Sequence, residues 1–301
     1  MECVTGCKKC QQGEGICIGL SMAFQPIFDI RTGEAWAYEA LVRGTEGQSA
    51  ADILSSVTPE NRYAFDQACR VAAIEQSVAA GILNTDAKLS INFLPNAIYS
   101  VEACIRLTLQ TAAEQGLATS RLLFEFTENE KMANTDHIKN ILKSYKQMGF
   151  ATALDDFGAG YAGLQLLADF QTDFIKLDMA LIRNIDEDMP RRMIVDSIVK
   201  LCRRMGIVII AEGVETPDEL AAIRNMALPI RDTAPAWAHL ARNMHFRSDG
   251  RPLCIGPQAI QDRRDDDPQP LLGRQVHHLH HQLRVAEGLH HGVDQRHHGV
   301  E

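Results

Sequence analysis

The chain has 301 residues, 46% of them hydrophobic, and a formal net charge of -9. That is enough apolar material for one large barrel or two modest domains, and the acidic balance excludes a dedicated DNA- or RNA-binding protein. No apolar run approaches the roughly 18 residues of a membrane helix, and the N-terminus lacks a charged-then-apolar leader pattern, which predicts a cytoplasmic protein.

Residues 1–18 carry Cys3, Cys7, Cys10 and Cys17 between glycines, spaced C-x3-C-x2-C-x6-C. Thiolates grouped in this way favour one zinc ion or an iron–sulfur cluster. A floppy arm with reactive thiols is the competing reading. Residues 22–30 and 35–42 read as strands about the turn Arg31-Thr32-Gly33. The second carries Glu39 among apolar neighbours and ends in Arg43, a candidate ligand beside a candidate anion clamp. A surface Glu–Arg pair is the plainer alternative.

Residues 50–80 read as helix broken near Pro59. Residues 89–94 form a strand whose apolar run Asn92 interrupts; a buried Asn must be hydrogen-bonded or must coordinate something. A helix over 101–115 leads to a strand over 121–127, where Glu125 lies between Phe124 and Phe126 at a cost unless it is paired or bound to metal. After a helix over 136–148, the apolar run from Phe150 to Leu154 delivers Asp155 and Asp156. Gly158 and Gly160 follow in what reads as a flexible loop. Adjacent acids in an apolar setting repel unless a cation or proton intervenes, so a divalent-metal site is the sharp reading and an acidic loop the bland one. A helix near 164–169 precedes a strand over 172–178 that buries Lys176, with Asp178 two residues on; the plain alternative is a structural Lys–Asp pair. A helix over 190–205 precedes a β-branched strand over 207–211. That strand runs into Glu212 and Glu215, and Thr216-Pro217 then opens a further helix.

Strands alternating with helices imply a parallel sheet with right-handed crossovers. Polar residues sit at six strand ends: Arg43, Asn92, Glu125, Asp155 with Asp156, Lys176, and Glu212. In a (β/α) barrel these ends converge on one mouth, the usual place of an active site.

The ordered segments Phe24-Gln25-Pro26-Ile27, Glu39-Ala40-Leu41-Val42-Arg43, Ile91-Asn92-Phe93, Glu125-Phe126-Thr127-Glu128, Asp155-Asp156-Phe157-Gly158-Ala159-Gly160-Tyr161, Lys176-Leu177-Asp178 and Glu212-Gly213-Val214-Glu215 resemble the EAL domain, the bacterial cyclic-di-GMP phosphodiesterase family, over roughly residues 20–226. The resemblance implies an α/β fold, a TIM-like barrel whose first strand runs antiparallel to the rest. It implies hydrolysis of one phosphodiester bond of cyclic di-GMP to linear pGpG with Mg²⁺ or Mn²⁺. Glu39, Asn92, Glu125 and Asp155 then look like ligands of one ion, and Asp155, Asp156 and Glu212 like those of a second. Lys176 would hold or polarise the attacking water, with Asp156 or Lys176 as general base. Gln25, Arg43 and Asp178 would face the dinucleotide, Arg43 on phosphate, while Glu128 and Glu215 would support the neighbouring loops. EAL relatives often pair through helices near the Asp-Asp loop, which implies a homodimer.

The match stops near Met226. The family expects a last strand with a Gln-Gly-Tyr segment, and none follows here. Ten of the 11 His lie from His239 onward and no Lys follows Lys200, so residues 231–301 read as a largely disordered tail beyond a barrel domain over 19–230. A shifted reading frame or a divergent tail would produce this composition. The barrel is therefore expected to be incomplete at its C-terminal end, with open sheet edges. Beside the enzyme stands the reading of a degenerate, non-catalytic module that binds cyclic di-GMP or a partner protein. A Cys arm that gates the barrel is a third reading.

Overall fold

The computed structural model describes residues 19–95, 98, 100–127, 135–160, 163–227 and 233–235. The Cys arm, Glu128, Tyr161 and the tail from residue 236 lie outside them. Eight strands form the ring: β1 (Leu20–Asp29), β2 (Ala35–Gly44), β3 (Lys88–Asn92), β4 (Leu122–Thr127), β5 (Ala151–Phe157), β6 (Phe174–Leu177), β7 (Val208–Ala211) and β8 (Thr233–Pro235). They follow one another in sequence order around a closed barrel. β1 runs antiparallel to both its neighbours, and every other pair is parallel. Parallel strands covered on both faces read as continuous apolar runs, and Leu122–Thr127 is buried along its whole length.

The helices are α1 (Ala50–Ser55), α2 (Arg62–Ala79), α3 (Val101–Glu114), α4 (Thr135–Gln147), α5 (Gly163–Asp169), α6 (Met179–Ile182), α7 (Met189–Met205) and α8 (Pro217–Ala227). α4 shows why they cover the sheet. Ile138, Ile141, Leu142 and Tyr145 recur at helical spacing and are buried, each contributing on the order of 1.5–3 kcal/mol of transfer free energy. Helix starts follow local chemistry: Ser100 accepts from Ala103 N–H and Asp188 from Arg191 N–H.

The break expected after Met226 shows only in the last strand of the ring. β8 is a three-residue stub, joined to β1 at three positions but to β7 at one, Ile210 with Thr233. Among the described residues the expected open edges are therefore absent. The incompleteness is a closing strand too short to grip its parallel neighbour, drawn from residues that the sequence assigns to the tail.

The barrel interior has two layers. Trp36 on β2 and Phe174 on β6 are not on neighbouring strands, yet their ring centroids are 4.9 Å apart, so the contact crosses the interior. Ile27, Ala37 and Ile210 complete this apolar plug. Side chains two apart on a strand share a face. The plug residues Ile27, Ala37, Phe174 and Ile210 therefore predict, two positions away, an inward-facing set nearer the mouth: Gln25, Glu39, Lys176 and Glu212.

Candidate functional site

Register brings the polar residues to one level. Gln25 lies opposite Glu39, Glu39 opposite Ser90, Asn92 opposite Glu125, and Thr127 opposite Asp155. Two consecutive residues of a strand ordinarily point to opposite faces, so Asp155 and Asp156 could not both face the mouth from a regular β5. The register against β6 shifts between Leu154 and Phe157, which places one extra residue on β5. That bulge re-aims the side chains. Asp156 takes a left-handed φ of 55°, a conformation that Asp tolerates better than most residues, and its N–H donates to Asp155 Oδ1 at 2.9 Å. Both aspartates lie within the strand rather than in a loop after it.

Lys176 occupies the centre. Its Nζ lies 2.8 Å from Glu212 Oε1, 3.0 Å from Glu125 Oε2, 3.0 Å from Asp155 Oδ1 and 3.2 Å from Glu39 Oε2. Its side chain is 2% exposed. Burial alone would depress the Lys176 pKa, but the four carboxylates hold it well above its usual value. The acids outnumber it. Burial pushes the Glu125 carboxyl up to about 8 against the pull of Lys176, and burial with the charge of Asp155 does the same to Asp156. One ammonium is too little charge for this pocket.

The surplus is arranged in two groups. Carboxylate oxygens of Glu39, Glu125 and Asp155 lie within 4.8 Å of one another, as do those of Asp155, Asp156 and Glu212. Asp155 belongs to both. Such hard-oxygen sets fit Mg²⁺, Mn²⁺ or Ca²⁺ and are unsuited to soft metals. Asn92 is exposed, contrary to the expectation of a buried amide. Its Nδ2 donates to Glu39 Oε1 at 3.1 Å, which sets its side chain beside the first group.

Other candidates have structural partners. Arg43 is half-buried at the mouth and donates to its own neighbour, Val42 O, rather than to Glu39; burial lowers its pKa. Asp178 is buried, pairs with no lysine among the described residues, and accepts from Ala180 N–H at 2.7 Å as the cap of α6. Glu215 pairs with Arg183. Gly158 was expected to supply flexibility. Its φ of +97° and the Leu181 Cδ1 that would stand 2.4 Å from an added Cβ show a fixed, close-packed turn.

Two residues escaped the sequence. Ser90 is fully buried and donates to Glu125 Oε1. Only its inward register, two before Asn92, marks it. Glu219 is 1% exposed and accepts from three backbone N–H groups. Its signal was present: Thr216 and Glu219 form a T-x-x-E capping box.

The profile of the EAL domain matches residues 18–229. The crystal structure of a standalone versatile EAL protein from Vibrio cholerae O395, in a c-di-GMP bound form, aligns at 46% identity and a TM-score of 0.71, covering 76% of this chain and 94% of that one. A manganese and cyclic-di-GMP complex of BlrP1 from Klebsiella pneumoniae aligns at 31% identity and a TM-score of 0.68, covering 76% of this chain and 57% of that one. Among curated proteins, the blue light- and temperature-regulated antirepressor BluF of Escherichia coli K12 is 33% identical over 197 residues, which are 65% of this chain and 48% of BluF. The chain thus spans about half the length of that relative. None of the described helices is long and apolar enough to cross a membrane.

Proposed function

The chain belongs to the EAL domain family, and from that premise we propose that it hydrolyses one phosphodiester bond of cyclic di-GMP to give linear pGpG. The observation that carries this reading is the pair of carboxylate groups sharing Asp155 around Lys176. Glu39, Asn92, Glu125 and Asp155 would hold one Mg²⁺ or Mn²⁺, and Asp155, Asp156 and Glu212 the other. Two such cations supply charge neutralisation at phosphoryl oxygens and acidify water.

This chain's own residues do the rest. Lys176, held cationic by four acids, has no lone pair for a proton, so it orients and polarises the attacking water. That leaves Asp156 to take the proton as general base. Gln25 and Arg43, on the strands that carry Glu39 and its partner, would contact the dinucleotide, with the Arg43 guanidinium on phosphate. The likeness to c-di-GMP complexes supports the ligand. We also propose a homodimer. Leu164 on α5, just past the Asp155–Gly160 segment, and Met193 and Ile194 on α7 are exposed and apolar. A sedimentation mass of one chain would remove that part.

A second reading is binding of the dinucleotide or a protein without turnover. The similarity to an antirepressor and the stub β8 favour it. Turnover with Mn²⁺, run beside a cyclic-di-GMP titration in Ca²⁺, separates the two. The expected result is pGpG from the parent and a loss on the order of 10³-fold for Asp155→Asn. Binding in Ca²⁺ with no pGpG in Mn²⁺ would install the second reading.

A further inference from the structure

We propose that Glu219 is a positioning residue that holds Glu212 in place for the second cation, an inference that deepens the two-cation reading and rests on it. Glu219 sits at the start of α8, away from the acid cluster, yet it is almost wholly buried. Its Oε1 accepts from Asn184 N–H at 2.9 Å. Its Oε2 accepts from Glu215 N–H at 2.8 Å and Thr216 N–H at 3.1 Å. Arg183 Nη1 lies 3.8 Å from Oε1. These donors come from two segments, one after β6 and one after β7. A single carboxylate therefore staples together the loops that follow Lys176 and Glu212.

The staple reaches Glu212 through a short, rigid path. Glu212 N–H donates to Leu177 O at 3.0 Å. Gly213 follows with φ +68°, packed so closely that an added Cβ would stand 2.6 Å from Met179 Cβ. Val214 is buried. Glu215 and Thr216 are then fixed by Glu219. Asn184, on the other side of the staple, holds a left-handed φ of 56°, a conformation that persists where surroundings over-determine it. Burial alone would raise the Glu219 pKa, but the three backbone donors and Arg183 hold it below the usual carboxylate range, so it remains an anion where those donors need one.

Glu212 belongs to only one of the two carboxylate groups. Loss of the staple must therefore weaken one ion and spare the other. A residue that merely stabilised the fold would not make that distinction. The measurement is Mn²⁺ binding to the full chain, by calorimetry or by the electron-spin signal of free Mn²⁺, on the parent, Glu219→Gln, Glu219→Ala and Thr216→Ala. Thr216→Ala removes the hydroxyl that caps α8, where it accepts from Glu219 N–H at 3.1 Å, but leaves the three backbone donors in place. It is the control for lost helix stability.

The parent should bind two ions. Both Glu219 variants should bind one of the two ions about tenfold or more less tightly, with the other unchanged within about twofold, and Thr216→Ala should match the parent in both. Glu219→Gln keeps the volume of the side chain and serves where Glu219→Ala does not fold. Two ions bound by Glu219→Gln as tightly as by the parent would overturn the inference alone. A parent that binds fewer than two would overturn the two-cation reading and this inference with it.

Discussion

The upper and lower layers of the barrel interior are made by the same strands and differ in almost every physical respect. Phe174 and Lys176, Ala37 and Glu39, and Ile210 and Glu212 are each two positions apart. Below, Ile27, Ala37 and Ile210 are buried, with the partly buried Trp36 and Phe174 packed against them. Above, four carboxylates surround one ammonium, and a fifth acid, Asp156, holds a left-handed backbone to join them. The lower layer stabilises the ring by transfer free energy. The upper layer costs stability, because burying like charges is unfavourable unless a counter-charge arrives. The contrast assigns the lower layer to folding and the upper one to binding cations.

The sharpest break of that contrast is Lys176→Met. It leaves the acids without their only buried cation among the described residues, and removal of one partner from a buried ion pair costs about 3–5 kcal/mol. Chemical denaturation of the metal-free variant should show that loss, and saturating Mn²⁺ should restore much of it. A variant equally unstable with and without Mn²⁺ would refute the view of the acids as a cation site. Ile210→Ala tests the other layer. Truncating this buried side chain should cost about 2–4 kcal/mol, by the same amount with and without Mn²⁺. The ion count should stay at the parent value. A tenfold change in ion affinity would show that the layers are not independent.

Much of both layers was legible in the chain. Elements were readable because parallel strands are short apolar runs ended by glycine or a cap, and the acids were conspicuous because each interrupts such a run. What stayed hidden was set by pairing rather than composition. The bulge that turns Asp155 and Asp156 to one side depends on where β6 meets β5. Ser90 matters only because register faces it to Glu125. Asp178 read as a substrate contact, since nothing local reveals that α6 begins on its carboxylate. The stub β8 was missed because three residues carry no periodicity of their own.

Reckoned per proton and per pH unit, the smallest effect is a pH dependence, and it too should divide the layers. Glu125 and Asp156 titrate at about 8 in the folded protein, against ordinary values near 4. The folded state therefore binds more protons than the unfolded one between these limits, and metal-free stability must fall as pH rises from about 4 to about 8. Cations must displace the same protons. Their affinity should rise across that window by up to about tenfold per pH unit for each proton released, or about 1.4 kcal/mol per unit, and level off above it. Calorimetry in buffers of different ionisation enthalpy counts those protons directly. The lower layer contains no titratable side chain, so the cost of Ile210→Ala should be the same throughout. An Mn²⁺ affinity that stays flat from about pH 6 to pH 8 would mean the two carboxyls are already ionised without a cation, and the charge surplus assigned to the upper layer would be wrong.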